Sequence, residues 1–395
     1  MDKKLVRFIL SFFIMFSGFS VICLANDTEL KDSFESTKQE LETDVSIEKF
    51  YEYINNMNSE VEMLEGMSAK EYVEKFLETG ESPVEISKVL KGVVSFFFKE
   101  LLVMLKLLTA FIVIALLSSL LECLQDAFDN ETVSKVAFFA CYALAVMLLT
   151  STFLLGLGIA KDVINNLVGF MGALMPVLIF LLSTAGGITS AVTMDPIVIL
   201  LVSIVPKIYI DFIFPLILIK FALEFVNNLS DDINLDKMCD FFKYIAAWSQ
   251  GILLTVFVGI MAIRGISANT IDAVTLKTAK FAVDNFIPVV GKSFSDAITT
   301  VAGYSLVLKN AISSVGLVAI IGMMLYPVIK IAMMIFSCRL TEALVQQVAN
   351  KKLVGAIESL GDAMTMVFAC IASISIMFFI VIAIMSSAGG FVVGG

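Results

Sequence analysis

The sequence contains no histidine, and this absence excludes several classes of functional site. Serine–histidine and cysteine–histidine nucleophile pairs, HExxH metal sites and histidine proton relays all require that residue. The six cysteines are spread singly along the chain without a CxxC motif, which argues against a zinc knuckle or a disulfide framework. No phosphate-binding loop, nucleotide fingerprint or pair of catalytic carboxylates is visible. We therefore predict that the protein is not an enzyme and has no cofactor or metal site.

Charged residues are also scarce, because they make up only 16% of the chain while 58% is apolar. In ordinary globular proteins about a quarter of the residues are charged. A helix needs about 20 apolar residues to cross hydrocarbon about 30 Å thick, and several runs of this kind are present. The predicted fold class is all-α, a polytopic helical membrane protein.

Residues 1–25 have the pattern of a signal peptide. Three basic residues precede the apolar stretch FILSFFIMFSGFSVI, and Cys23-Leu24-Ala25 resembles a cleavage site. An uncleaved anchor helix is the alternative. Residues 26–90 contain 17 acidic and 6 basic residues, a net charge of −11, so this segment accounts for the whole net charge of −10 and the rest of the chain is close to neutral. We therefore predict an acidic, helical extracytoplasmic segment at 26–98, and the chain lacks the basic surface of a nucleic-acid-binding protein.

Two amphipathic helices are predicted within this acidic segment. Ile47, Phe50 and Ile54 share one face of the first helix, and Ser68 and Glu71 have the spacing of a capping box at the start of the second. Their apolar faces are suited to docking on the membrane domain or on a partner. Packing against each other as a small helical hairpin is the alternative.

The predicted multi-spanning membrane domain covers residues 99–390. Prolines interrupt two of its apolar segments, 188–205 and 208–226. This pair is compatible with two short helices or with a single bent crossing. The basic residues of the loops 264–310 and 338–363 do not decide between seven and eight crossings. The apolar segments lie at 101–121, 134–158, 163–184, 188–205, 208–226, 241–263, 311–337 and 364–387.

Two stretches of the membrane domain share the pattern Lys-x3-Asp-x3-Pro, namely KIYIDFIFPLI at 207–217 and KFAVDNFIPVV at 280–290. Lysine and aspartate four residues apart can pair on one helix face, and a proline kinks or ends the helix. We expect Lys207 to pair with Asp211, and Lys220 with Glu224 beyond the first proline. The likeness is compatible with an internal duplication or with chance.

The loop 264–310 carries more charge than a membrane segment tolerates alone, since a central charge costs about 2.5–3.5 kcal/mol on insertion scales. At membrane depth its polar groups would need to be shielded from lipid by other helices or by a water-filled cavity. We therefore predict an interrupted, semi-polar element that packs against the bundle or lines a cavity. Its charges serve either structural pairing or transport.

The stretch from Arg264 to Leu317, RGISANTIDAVTLKTAKFAVDNFIPVVGKSFSDAITTVAGYSLVLKNAISSVGL, resembles the stage III sporulation protein AE family of endospore-forming bacteria. The layout of signal, acidic segment and multi-spanning domain agrees along nearly the whole chain. The candidate residues are the positions that carry this resemblance, together with the charge pairs and prolines described above. Together the candidate interface or pathway residues are Lys207, Asp211, Pro215, Lys220, Glu224, Arg264, Asp272, Lys277, Lys280, Asp284, Pro288, Gly291, Lys292, Asp296, Lys309 and Asn310.

The resemblance implies a non-enzymatic, multi-pass protein of the mother-cell membrane that surrounds the forespore. It implies the other stage III A operon sporulation proteins and stage II sporulation protein Q as partners in a secretion-like channel. The alternative is a self-sufficient secondary transporter, or permease, whose substrate site lies between the two Lys-x3-Asp-x3-Pro elements. A membrane-bound enzyme is a third class, which the missing histidines disfavour.

Overall fold

The computed structural model describes residues 45–57, 68–79, 83, 86–128, 131–229, 234–286, 291–347 and 349–388. The predicted signal peptide lies outside these residues. The described chain is helical throughout and has no β-strand in these ranges. Its helices are α1 (Val45–Met57), α2 (Ala69–Thr79), α3 (Ile86–Phe128), α4 (Glu131–Thr184), α5 (Ile188–Ile208), a π-helical segment (Tyr209–Ile213), α6 (Phe214–Leu229), α7 (Asp236–Phe286), α8 (Gly291–Val345) and α9 (Lys351–Ser387).

Three long helices, α4, α8 and α9, form the centre of the bundle. Gly156 of α4 lies against Met334 of α8 and Met364 of α9. Further along, Gly316 of α8 lies against α4 and α9, beside Leu174 and Ile382. Moving from the first meeting point to the second raises the residue number in α4 and α9 and lowers it in α8. Helix α8 is therefore antiparallel to the other two.

The turn between α4 and α5 depends on glycine. Gly186 has a φ of 90°, a left-handed conformation that glycine adopts without steric cost. The Gly186 N–H donates to the Ser183 carbonyl and the Gly187 N–H to the Leu182 carbonyl, which is the Schellman pattern of helix termination. The chain then runs as one unbroken helix from 188 to 229, so the interrupted pair of apolar segments forms a single element.

Six helices in the described part of the chain are long and apolar enough to cross a membrane. Their apolar stretches are Leu90–Leu117, Phe139–Thr184, Pro196–Leu229, Asp236–Ile263, Thr299–Val345 and Lys351–Ser387. The eight predicted segments thus occupy six helices, because 134–158 and 163–184 both lie in α4, and 188–205 and 208–226 both lie in the helical run 188–229. The protein has the character of a multi-pass membrane protein, and its predicted seven or eight crossings stay a prediction.

The apolar stretch of α4 is longer than any membrane requires. Its 46 residues extend for about 70 Å, more than twice the thickness of the hydrocarbon. The large exposed apolar side chains of α4 all lie between Val136 and Leu155, and from 156 to 184 none is exposed. The second half of α4 is therefore apolar because it is enclosed by protein.

Helices α1 and α2 provide part of this enclosure. The Phe50 ring of α1 lies 6.2 Å from the Phe170 ring of α4, measured between centroids. The Tyr72 hydroxyl of α2 lies 3.2 Å from the Ser314 hydroxyl of α8. The charged side chains of Glu48 and Glu74 point outward and are exposed. The predicted apolar faces thus dock on the long helices, which was one of the two alternatives left open by the sequence.

The predicted helix start at Ser68 is also confirmed. Its hydroxyl accepts a hydrogen bond of 3.1 Å from the Glu71 N–H, as an N-cap serine does. The Asn55 side chain of α1 accepts one of 3.2 Å from the Ala69 N–H at the same helix end. The two short helices are therefore tied to each other as well as to the bundle.

Candidate functional site

A charge network joins three helices of the bundle through Asp362 of α9. Arg339 of α8 donates to the Asp362 carboxylate and also to Glu342 one turn further on, at 2.9 Å. The Lys243 ammonium of α7 lies 3.4 Å from the other Asp362 oxygen. Because one carboxylate receives cations from two other helices, the network links α7, α8 and α9 at this level.

The Lys220–Glu224 pair of α6 lies beside this network and confirms the predicted ion pair. Its Nζ–Oε1 distance is 2.6 Å, the Lys220 side chain is 1% exposed and the Glu224 side chain is 20% exposed. The second Glu224 oxygen has no hydrogen-bond partner. The carboxylate thus neutralises a buried cation on one side and has spare acceptor capacity on the other.

Glu224 forms one wall of a polar pocket of about 420 Å³. The pocket lies where the end of α6 meets the beginnings of α7 and α9, and it is partly open to the surroundings. Five of its ten lining residues are carboxylates. The lining residues are Glu224, Asn227, Asn228, Asp236, Cys239, Asp240, Gly355, Glu358, Ser359 and Asp362.

Side-chain hydrogen bonds hold the mouth of the pocket in shape. Asn227 accepts from the Leu235 N–H at 2.6 Å and donates to Asp236 at 2.7 Å, which ties the end of α6 to the start of α7. Asn228 donates to the Ser359 hydroxyl of α9 at 3.2 Å. A Cβ on Gly355 would lie 2.8 Å from the Asn228 Oδ1, so glycine permits this close approach.

The pocket is suited to binding a cationic group. Asp236 lies in the first turn of α7, where the helix dipole stabilises a negative charge. Asp240 and Glu358 are exposed and have no ion pair with any described cation. The described residues contain no cluster of three potential metal ligands. The exposed carboxylates of the pocket can accept hydrogen bonds from a basic side chain or an organic cation.

Lys309 and Asn310 lie towards the other end of α8, far from this pocket. Lys309 is fully buried and donates to the Ala388 carbonyl beyond the end of α9. Among the described side chains, no carboxylate lies within ion-pair distance of it. The hydroxyls of Ser305 and Ser313 and the Oδ1 of Asn310 have no hydrogen-bond partner, so this part of α8 is a second buried polar layer.

Lys207, Asp211 and Pro215 lie elsewhere again, exposed on the outer surface of the helical run 188–229. The predicted Lys207–Asp211 ion pair is not formed, although both side chains are within the described residues. The first Lys-x3-Asp-x3-Pro element, including Pro215, is part of the continuous helical run 188–229. The proline of the second element lies outside the described residues.

The remaining predicted residues lie in the extensions of α7 and α8 beyond their apolar stretches, which end at Ile263 and begin again at Thr299. Only the backbone is described there, and Pro288 lies outside the described residues. The role of this element stays a prediction. The residues concerned are Arg264, Asp272, Lys277, Lys280 and Asp284 in α7, and Gly291, Lys292 and Asp296 in α8.

Lys243, Arg339 and Asp362 were not predicted from the sequence to be members of a site. A signal for the last two was present, because the predicted apolar segments end at 337 and begin at 364, immediately beside Arg339 and Asp362. Two opposite charges at the facing ends of consecutive antiparallel helices are placed to meet. The helices continue past both charges and enclose them.

Comparisons with known proteins identify the family. The family model for stage III sporulation protein AE matches residues 67–389, which include the pocket and the charge network. The chain is 31% identical over 355 residues to stage III sporulation protein AE of Bacillus subtilis (strain 168), covering 90% of this chain and 88% of that protein. No solved structure matches the chain. The chain belongs to the stage III sporulation protein AE family.

Proposed function

We propose that this protein is an integral, non-enzymatic membrane component of the channel-like complex that connects the mother cell with the forespore during endospore formation. The observation that carries the proposal is the family match, which extends over most of the chain. In this proposal the protein lies in the mother-cell membrane around the forespore. Its partners are other stage III A operon proteins and stage II sporulation protein Q.

The polar pocket supports a role that depends on partners. It is acidic and partly open, and two of its carboxylates, Asp240 and Glu358, are exposed. The charge network that shares Asp362 with the pocket links α7, α8 and α9. A basic segment of a partner subunit would find preformed acceptors there, with little reorganisation of the site on binding.

The transporter alternative has less support from the geometry. It requires a substrate site between the two Lys-x3-Asp-x3-Pro elements, whereas Lys207 and Asp211 face outward from the bundle. A substrate held inside the bundle would not reach them. We therefore favour the partner-dependent component.

Affinity purification from sporulating cells tests the proposal. The full-length chain with a C-terminal tag would be extracted in mild detergent and the co-purifying proteins identified by mass spectrometry. We expect other stage III A operon proteins in amounts comparable with the tagged chain. Purification of the chain alone, together with solute flux when it is reconstituted alone in liposomes, would contradict the proposal and favour a transporter.

A further inference from the structure

Lys207 and Asp211 are exposed near the middle of an apolar stretch that runs from Pro196 to Leu229. Tyr209 lies between them, is buried, and is close to Cys370 of α9. The Cys370 sulfur in turn accepts a hydrogen bond of 3.1 Å from the Gln250 side-chain amide of α7. Cys370 and Gln250 are near the centres of their own apolar stretches, 351–387 and 236–263. The contacts of Tyr209 and Cys370 therefore place Lys207 and Asp211 at the same level as the centres of the apolar stretches of α7 and α9, which is mid-depth of the bundle.

The surface around these two charges is mostly apolar, and Ser203 is an exposed polar residue one turn before Lys207. Leu200 and Ile204 are exposed on one side of them, and Phe212 and Ile219 are exposed on the other. A charge that faces lipid at this depth is costly, so membrane proteins direct such groups to a partner or to water. A lysine can extend its long stem towards the interface, but the short side chain of Asp211 cannot. A surface with this composition is unsuited to lipid alone.

The backbone at this position is also unusual. Asp211 lies inside the π-helical segment Tyr209–Ile213, between α5 and α6. Single turns of π-helix inside longer helices are rare and are frequent at functional sites. Neither Lys207 nor Asp211 has an ion-pair partner among the described side chains, so both can pair with groups outside the chain.

We infer that two copies of this chain associate in the membrane through this face, with Lys207 of each copy paired to Asp211 of the other. The face carries one cation and one anion about 6 Å apart along the helix axis, so in a pair of identical faces each charge lies one helix turn away in depth from the opposite charge of the other copy. A two-fold axis along the membrane normal brings the same face of both copies together at the same depth. The flexible lysine stem bridges the offset, and both ion pairs form at once.

The inference does not rest on the proposed function, because it concerns how the chain associates with itself. It is tested by co-expressing two full-length copies with different affinity tags, purifying through the first tag in mild detergent and quantifying the second tag. The wild-type copies are expected to co-purify. Lys207→Asp leaves two acidic residues on the face and Asp211→Lys leaves two basic ones. Each variant alone is expected to reduce co-purification by about tenfold or more, because like charges then meet.

Combining the two variants gives the decisive result. A Lys207→Asp copy co-expressed with an Asp211→Lys copy is expected to restore co-purification, since each acidic residue then faces a lysine. This rescue also shows that both variants fold. Lys49→Asp on the outward face of α1 is the matched control and is expected to leave co-purification unchanged. The inference is overturned if wild-type copies do not co-purify, if either variant self-associates like the wild type, or if the mixed pair is not rescued.

Discussion

Replacing Glu224 with glutamine should destabilise the protein by about 3 kcal/mol, because Lys220 would remain buried without a counter-charge. Breaking a buried ion pair by removing one partner costs about 3–5 kcal/mol. The 2.6 Å contact and the 1% exposure of Lys220 place the pair in this class. The lower end of the range applies because Glu224 borders the pocket, from which water reaches the ammonium more easily after substitution.

The double variant Lys220→Met/Glu224→Gln should recover most of this loss. Methionine fills much of the space of the lysine stem, and replacing both partners of a buried pair is often neutral. We expect the double variant to lie within about 1 kcal/mol of the wild type, so that the coupling energy is at least about 2 kcal/mol in magnitude. The assay is the free energy of unfolding, measured by chemical denaturation of the purified protein in mixed micelles.

Two results would refute this reasoning. The first is a Glu224→Gln variant as stable as the wild type. The second is additivity of the two single variants within about 0.5 kcal/mol, which would mean that the residues do not interact. Lys243→Gln is the control, because its ammonium is half exposed and 3.4 Å from Asp362. Loss of such an exposed pair costs about 1 kcal/mol or less.

Two further substitutions, each with a matched control, test the packing of the helices. Gly156→Ala should cost about 1–3 kcal/mol of unfolding free energy, because its Cβ would lie 2.0 Å from the Met364 methyl group in a buried position. Gly158→Ala meets nothing within 4 Å and should be neutral or stabilising by up to about 1 kcal/mol, so equal effects of the two would contradict the packing. Phe50→Ala should release α1 from the bundle and make it sensitive to limited proteolysis, while Glu52→Ala on the outward face should not. Equal protease resistance of these last two would show that the docked position of α1 is wrong.

The helical class and the two amphipathic helices were predictable because they depend on local patterns. Ile47 and Phe50 share a helix face by spacing alone, and Ser68 caps the next helix through a bond three residues away. The family could also be anticipated from the stretch after Arg264. Each of these features is contained in a short segment of sequence.

The division of apolar residues between lipid and protein was not predictable in the same way. Residues 163–184 have the composition of a membrane segment, yet Phe170 and Leu174 are buried against other helices of the protein. Hydropathy reports the preference of a side chain for an apolar environment and does not distinguish lipid from a protein core. Only the packing of the other helices around α4 shows where its enclosed half begins.

Ion pairs between residues that are far apart in the chain could also not be predicted from the sequence. Lys330, for which the sequence offers no local partner, lies 3.9 Å from Glu100 of α3. Asp362 receives its cations from α7 and α8. The local pair Lys220–Glu224 was predicted correctly, but the equally spaced Lys207 and Asp211 do not pair. Spacing permits an ion pair, and the environment of the two side chains decides whether it forms.

The most direct test of the account is the number of heat-resistant spores formed when Asp240→Asn/Glu358→Gln replaces the wild-type chain. These carboxylates line the pocket, are exposed and form no described ion pair, so the folded protein should be unaffected. We predict a large fall in spore number with unchanged protein level and unfolding free energy, while the control Glu48→Gln/Glu52→Gln sporulates normally. Normal spore numbers from the pocket variant would contradict the claim that this pocket is where the protein meets its partners.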